Sequence, residues 1–178
     1  MSEEPKPGAR QLAELTKLTP ARIALGRSGA SLPTREVLRF GMAHAQARDA
    51  VHAPFDADDV ASRLAALGLE VNQVDSAATS REQYLRRPDL GRTLSPDSRE
   101  VLTARRGDFD LTLIVADGLS STAVHQNAVP LVASLLPLLM RQGLRLAPVV
   151  VGREARVALG DEIGEALGAR AVAVLIGE

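Results

Sequence analysis

The residues best suited to chemistry sit together at Asp117-Gly118-Leu119-Ser120-Ser121-Thr122, directly after the apolar run Leu111-Thr112-Leu113-Ile114-Val115-Ala116. A carboxylate and a hydroxyl at the end of such a run can meet a ligand, because open parallel sheets bind small molecules just beyond the carboxyl ends of their strands. A helix that starts there adds free amide N–H groups. Asp117 and Ser120 are therefore candidate pocket walls. For Asp117 an equal alternative is to cap the following turn or helix. The serines do not form a hydrolase elbow, since Gly-x-Ser-x-Gly is absent. His44, His52 and His125 lack ligand spacing and a supporting carboxylate motif, so no metal site is expected. Asp56, Asp58 and Asp59 lack the glycine and bidentate glutamate of a hard-cation loop, and read as negative charge at a helix start. No residue is assigned a catalytic role.

The arginines come in two groups. Arg22 lies before Gly26-Arg27-Ser28-Gly29 and Arg27 within it, where they either grip an anion or lie solvated. That glycine-bearing segment is neither a P-loop nor a dinucleotide fingerprint. Arg81, Arg86, Arg87 and Arg92 surround Pro88-Asp89-Leu90-Gly91 and are expected on a surface facing a partner or solvent.

The elements that must position these residues follow from periodicity and punctuation. Residues 1–18 read as a flexible, polar lead-in with room for a short helix around Arg10–Leu18. Thr19-Pro20 suits the start of a brief helix over 19–25. Val37, Leu38, Met42 and Ala45 keep helical spacing over about 33–51. Asp56 suits the cap of a second helix carrying Val60, Leu64 and Leu67 and ending at Gly68. Leu69–Val74 alternates as a half-exposed strand. Ser80–Arg87 reads as a short helix stopped by Pro88, and Ser95-Pro96-Asp97 opens another. The central strand covers about 111–116. Asn127 is the expected cap of a helix reaching Gln142, kinked or divided at Pro137. Leu144–Val151 reads as a strand, Asp161–Leu167 as a helix capped by Gly168, and Ala171–Ile176 as a final buried strand. The β-α-β-α-β order from residue 107 favours right-handed crossovers and parallel pairing, with the strand ends at Asp117 and Glu178 on one edge. The expected fold is α/β: a three-layer, Rossmann-like domain over 19–178 with a mostly parallel sheet and an N-terminal helical extension.

Composition narrows the function classes. A chain of 178 residues with 46% hydrophobic content builds one domain with a real core. A net charge of −1 gives no case for a nucleic-acid or membrane-surface partner. Aromatics at 2%, with no Trp, leave no stacking platform for bases. Without cysteine there is no thiolate nucleophile, disulfide or thiolate metal site. No signal-type segment is seen at the N-terminus, and Arg and Asp are expected to keep every apolar stretch below membrane-spanning length. These features are compatible with the cytoplasm.

Four segments, read in order, resemble one family. They are Ala21-Arg22-Ile23-Ala24-Leu25-Gly26-Arg27-Ser28-Gly29, Tyr84-Leu85-Arg86-Arg87-Pro88-Asp89-Leu90-Gly91-Arg92, Val115-Ala116-Asp117-Gly118-Leu119-Ser120, and Asp161-Glu162-Ile163-Gly164-Glu165-Ala166-Leu167-Gly168-Ala169 leading into Leu175-Ile176-Gly177-Glu178. Together they are similar to the light (small) subunit of ethanolamine ammonia-lyase over roughly residues 19–178. The resemblance implies an adenosylcobalamin enzyme in which a TIM-barrel heavy subunit holds ethanolamine and the light subunit closes over the cobalamin at the interface. Cobalt–carbon homolysis gives a 5′-deoxyadenosyl radical that abstracts hydrogen from the substrate. The amino group migrates, and the product collapses to acetaldehyde and ammonia. The light chain alone is then expected to be catalytically silent.

By the same resemblance, Val157 in Ala155-Arg156-Val157 and Glu178 in Ile176-Gly177-Glu178 match cobalamin contacts. A third family contact, a cysteine, lies in a later segment, so a shortened C-terminus is expected. Judged from the residues alone, Val157 reads as core packing and Glu178 as a terminal carboxylate. Cytoplasmic location, within a bacterial microcompartment as a further option, belongs to the same expectation. The rival is a stand-alone Rossmann-like module for a nucleotide or other small ligand, with no heavy subunit.

Overall fold

Four apolar runs pair into one sheet in the computed structural model, which describes residues 14–178. The strands are β1 (Val71–Asp75), β2 (Phe109–Ala116), β3 (Val149–Arg153) and β4 (Ala169–Ile176). All pairings are parallel and the spatial order is β1-β3-β2-β4. The register sets Ile114 beside Val150 on one side and Val174 on the other.

Side chains alternate across a strand, so each central strand feeds two cores. Leu113, Val115, Val149 and Val151 face helices α2 (Ala57–Ala65) and α5 (Ser121–Arg141). Ile114, Ala116 and Val150 face α4 (Pro96–Thr103) and α6 (Leu159–Leu167) on the opposite side. The crossovers β1→β2 and β3→β4 move one way across the sheet over the α4/α6 face. The crossover β2→β3 returns over the α5 face. Opposite directions on opposite faces give all three the same hand, as parallel sheets require. The expected α/β class with helices on both faces is what the chain adopts.

Cap chemistry fixes most helix starts as expected. Asp56 accepts from the Asp59 amide at 2.9 Å, Ser80 caps α3 (Arg81–Arg86), and Ser95 caps α4. Five local expectations need correction. The stretch 19–25 is not helical: the Thr19 hydroxyl accepts from the Ala21 amide at 3.1 Å, and Ala24 adopts φ +54°. Helix α5 starts at Ser121, capped by Ser120 rather than by Asn127, whose amide instead donates to the Ala123 carbonyl one turn back. The helix runs through Pro130 and Pro137 without ending, because both prolines lie on its exposed side, where water can serve the carbonyls they leave free. The third strand begins at Val149, after Pro148, not at Leu144. Finally, β4 is one of the sheet's two edges, opposite β1, and is only half-buried, since β2 alone lies beside it.

Helix α5 also departs from the expectation about apolar stretches. No Asp, Glu, Lys or Arg falls between residues 119 and 140. By length and composition the helix could cross a membrane. In this fold its inner side, Val124, Ala128 and Val132, covers the sheet.

The described chain divides into two compact units, residues 14–47 and 48–178, and the sheet lies wholly in the second. The first holds a tight turn bridged between Ser28 and Ser31 and most of α1 (Thr34–His52). Every buried apolar core side chain among the described residues lies at Ala57 or beyond.

The ends of β2 and β4 meet backbone to backbone. Leu119 and Ser120 both donate their amides to the Gly177 carbonyl, at 2.7 and 3.2 Å, and Gly177 donates to the Ala116 carbonyl at 3.3 Å. Gly118 has φ +56°, and a Cβ there would collide with the Gly177 carbonyl oxygen and the Ile176 side chain. Gly143 has φ +68° with open space around it. Gly118→Ala is therefore expected to destabilise the fold by about 3 kcal/mol or more, against about 1 kcal/mol for Gly143→Ala, in urea unfolding of the purified chain. Equal losses in the two variants would show that the close approach carries no energy.

Candidate functional site

At the carboxyl edge of the sheet, β2 and β3 send their connections to opposite faces, which makes their junction the crevice where α/β sheets bind ligands. Here the protein fills that crevice itself. Asp117 is 2% exposed and its carboxylate accepts four hydrogen bonds, two per oxygen. The Oδ1 atom takes the Gly118 and Ala155 amides, each at 3.0 Å. The Oδ2 atom takes the Glu154 amide at 3.0 Å and the Arg81 guanidinium at 3.2 Å. A carboxylate offers about four lone-pair positions, so none is left for a ligand. Glu154 holds φ +50°, a conformation this clamp imposes on a residue without glycine's freedom.

Arg81 carries the clamp onward. Its guanidinium also binds Glu154 at 3.0 Å and the Val51 carbonyl at 2.7 Å, while Nη2 has no partner among the described residues. Tyr84, one helical turn along, lies 4.8 Å from the Arg81 guanidinium and 4.5 Å from that of Arg156. Its hydroxyl donates to the Ala155 carbonyl at 3.3 Å, and burial pushes its pKa up. Arg156 donates from its side chain to the Tyr84 carbonyl and from its amide to the Gly91 carbonyl. The arginine-rich segment expected on the surface is thus split: Arg86 and Arg87 are exposed, but Arg81 is an internal tie.

Open space lies on both sides of this clamp: a cavity of about 490 Å³ at the ends of β1 and β3, lined by Asp75, Ser95, Asp97, Asp117 and Arg153, and a larger one toward β4. The larger, of about 720 Å³, is bounded by the Gly118-Leu119 turn, the loop from β3 into α6, and one face of β4. Val157 and Glu178 both line it, although they come from separate connections. Val157 is 55% exposed, which excludes the core-packing reading for that side chain. Val172, Val174 and Ile176 give the cavity an apolar wall; Arg92, Arg156 and Asp161 give it a polar one. The Arg156 Nε is buried without a hydrogen-bond partner among the described residues. Asp117 and Ser120 support the rim from behind. Ser120 is 9% exposed and its hydroxyl accepts from the Ala123 amide at 3.2 Å.

Among the other residues singled out by type, His125 accepts from the Asp56 amide at 3.1 Å and stacks on Phe55, while His44 stacks on Phe40. Gly26 and Gly29 flank a turn with no strand before it among the described residues, unlike a phosphate-binding loop. Sequence reasoning missed Arg81, Glu154, Tyr84 and Arg156 as site-forming residues. Only Tyr84 carried a signal, as the sole tyrosine of an aromatic-poor chain.

Comparison with known proteins gives one consistent result. The model of the ethanolamine ammonia-lyase light chain family matches residues 9–178. A protein of Rhodopseudomonas palustris (strain BisA53) named ethanolamine ammonia-lyase small subunit is 53% identical over 176 residues, covering 98% of this chain and 67% of that protein. Proteins with the same name from Pseudomonas fluorescens (strain Pf-5) and Ralstonia nicotianae (strain GMI1000) are 49% and 52% identical; the alignments cover 100% and 92% of this chain and 66% and 62% of theirs. The chain spans about two-thirds of the length of these curated relatives.

The Asp117 clamp has a pH signature. Burial pushes its carboxyl from 3.8 up to about 6 and the nearby Glu154 carboxylate adds to the rise, while the Ala155 and Glu154 amides and Arg81 pull it down. A carboxyl whose pKa is higher folded than unfolded binds more protons in the folded state between those two values. Its contribution to stability therefore falls as pH rises from about 4 to about 6. The stability of the parent chain minus that of Asp117→Asn is expected to shrink by on the order of 3 kcal/mol across that interval. Urea melts of both proteins at several pH values check this; a difference that grows with pH would mean the four donors outweigh burial.

Proposed function

The chain belongs to the ethanolamine ammonia-lyase light-chain family, and on that premise we propose that it acts as the small subunit of such a lyase, supplying one wall of an adenosylcobalamin site that a larger subunit completes. The observation that carries this reading is the meeting of Val157 and Glu178 in one open, half-apolar cavity at the carboxyl edge.

The residues present fit such a cofactor. A corrinoid presents apolar methyl-bearing edges and a fringe of amides. Val157, with Val174 and Ile176, offers apolar surface to the former; the Glu178 carboxylate can accept from amide N–H groups, and the unpartnered Arg156 Nε can donate to amide oxygens. When bound, adenosylcobalamin supplies the radical chemistry that converts ethanolamine to acetaldehyde and ammonia. This chain's residues bind and orient: the Asp117 clamp holds the loop that carries Arg156 and Val157, and the Gly118–Gly177 contact fixes the rim from which Glu178 extends. In this proposal the larger subunit, a TIM barrel, holds the ethanolamine. The complex works in the cytoplasm, with a bacterial microcompartment as a further option, and needs neither nucleic acid nor membrane.

Two measurements test the reading. The isolated chain with adenosylcobalamin is expected to release no acetaldehyde from ethanolamine, and turnover by it alone would contradict the division of labour. In the complex with the larger subunit, Val157→Asp is expected to weaken cobalamin binding at least about tenfold, because it sets an unpaired charge against the ligand. Glu178→Gln keeps the shape but loses a charged acceptor, and is expected to weaken binding about two- to threefold. It is measured in a form with a residue following Glu178, so that no α-carboxylate substitutes. Spectroscopic cobalamin titration reads both; unchanged affinity in an intact assembly would remove these residues from the site.

A further inference from the structure

Helix α1 is built the wrong way round for a free-standing chain. Its one buried side chain is a carboxylate, Glu36, held by Arg35 at 3.0 Å and Arg39 at 3.4 Å. Its large apolar side chains point into water: Val37 is 53% exposed, Leu38 68%, Phe40 59% and Met42 63%. A surface helix normally does the reverse, with its apolar stripe on a core. Within residues 14–47 the helix turns Glu36, Arg39, Met42 and Gln46 toward the segment 16–25 across a cavity of about 520 Å³, while Val37, Leu38 and Phe40 lie outside that cavity and stay exposed. An isolated helix of this length is marginal in water unless a packed face supports it.

The charges around this apolar surface say what should cover it. Residues 22–48 contain five arginines and one carboxylate, the buried Glu36. Arg22 lies over the Phe40 ring at 5.0 Å. Arg27 and Arg48 pair with no other described residue. We infer that residues 22–48, led by the exposed apolar side chains of α1, dock into an apolar groove rimmed by carboxylates on the larger subunit. This rests on the small-subunit reading above, which supplies the partner. The docking then provides the burial that α1 lacks in the chain alone, and the arginines set its orientation through charge complementarity.

The test uses the whole chain, alone and in complex with the larger subunit, and follows hydrogen exchange in residues 34–47. Fast exchange alone and strong protection in the complex are expected. Leu38→Ser with Phe40→Ser should raise the dissociation constant for the larger subunit at least about tenfold while leaving the urea unfolding of the α/β unit unchanged. Arg27→Glu with Arg48→Glu should weaken binding most at low salt. A tight complex in which residues 34–47 exchange as freely as before would overturn the inference and leave the small-subunit reading standing. Failure of the parent chain to form any complex would overturn both. Protection in the chain alone would also overturn it, assigning the surface to a second copy if the solution mass doubles and to the chain itself if the mass stays monomeric.

Discussion

The Asp117 carboxylate joins three stretches of chain that are far apart in sequence: the end of the central strand, the turn after β3, and helix α3. Two backbone amides of the β3 turn and one guanidinium end on it. Because the group is buried, each of those donors would be left unsatisfied in its absence, at a cost well above that of a surface contact. The turn it holds includes Glu154 in a left-handed conformation, and the next residues, Arg156 and Val157, are the ones that face the open cavity. The positions of Arg156 and Val157 are thus set from inside the protein.

Filling the crevice in this way divides the open space between the β1 and β3 ends and the β4 flank. The Gly118–Gly177 contact closes the ends of β2 and β4 against each other, and neither position has room for a side chain. Beside it lies the open flank formed by β4 and the start of α6, with valine and isoleucine on one side and arginine on the other. β4 is also an edge of the sheet, so its outer hydrogen-bonding positions are unpaired within the described residues. An apolar, half-buried edge strand beside a wide cavity suits a protein whose site is completed by another molecule.

The two units treat apolar surface in opposite ways. Residues 48–178 bury it on both faces of a parallel sheet, in two clusters separated by the strands. Residues 14–47 bury one carboxylate and leave leucine, phenylalanine and methionine outside. The first pattern takes its apolar side chains out of water; the second leaves them in it.

By itself the sequence determined the local structure wherever one residue's chemistry suffices. Asp56, Ser80 and Ser95 capped helices because their side chains reach an amide three residues on, and Gly168 ended one in the left-handed conformation at φ +74°. The unbroken run Leu111–Ala116 required a strand covered on both faces, which set the α/β class. The resemblance carried by four segments pointed to the family, and Val157 and Glu178 fell in one cavity. Tertiary structure alone decided the rest. The apolar runs Leu111–Ala116 and Ala171–Ile176 look alike, yet only strand order makes the second an edge. Helical spacing marked Leu38 and Met42 as one face but could not say whether anything covers it. Asp117 left open whether it meets a ligand or its own backbone, since its four donors come from residues 81, 118, 154 and 155. Their convergence depends on how the sheet twists and crosses, a long-range property that no local spacing encodes.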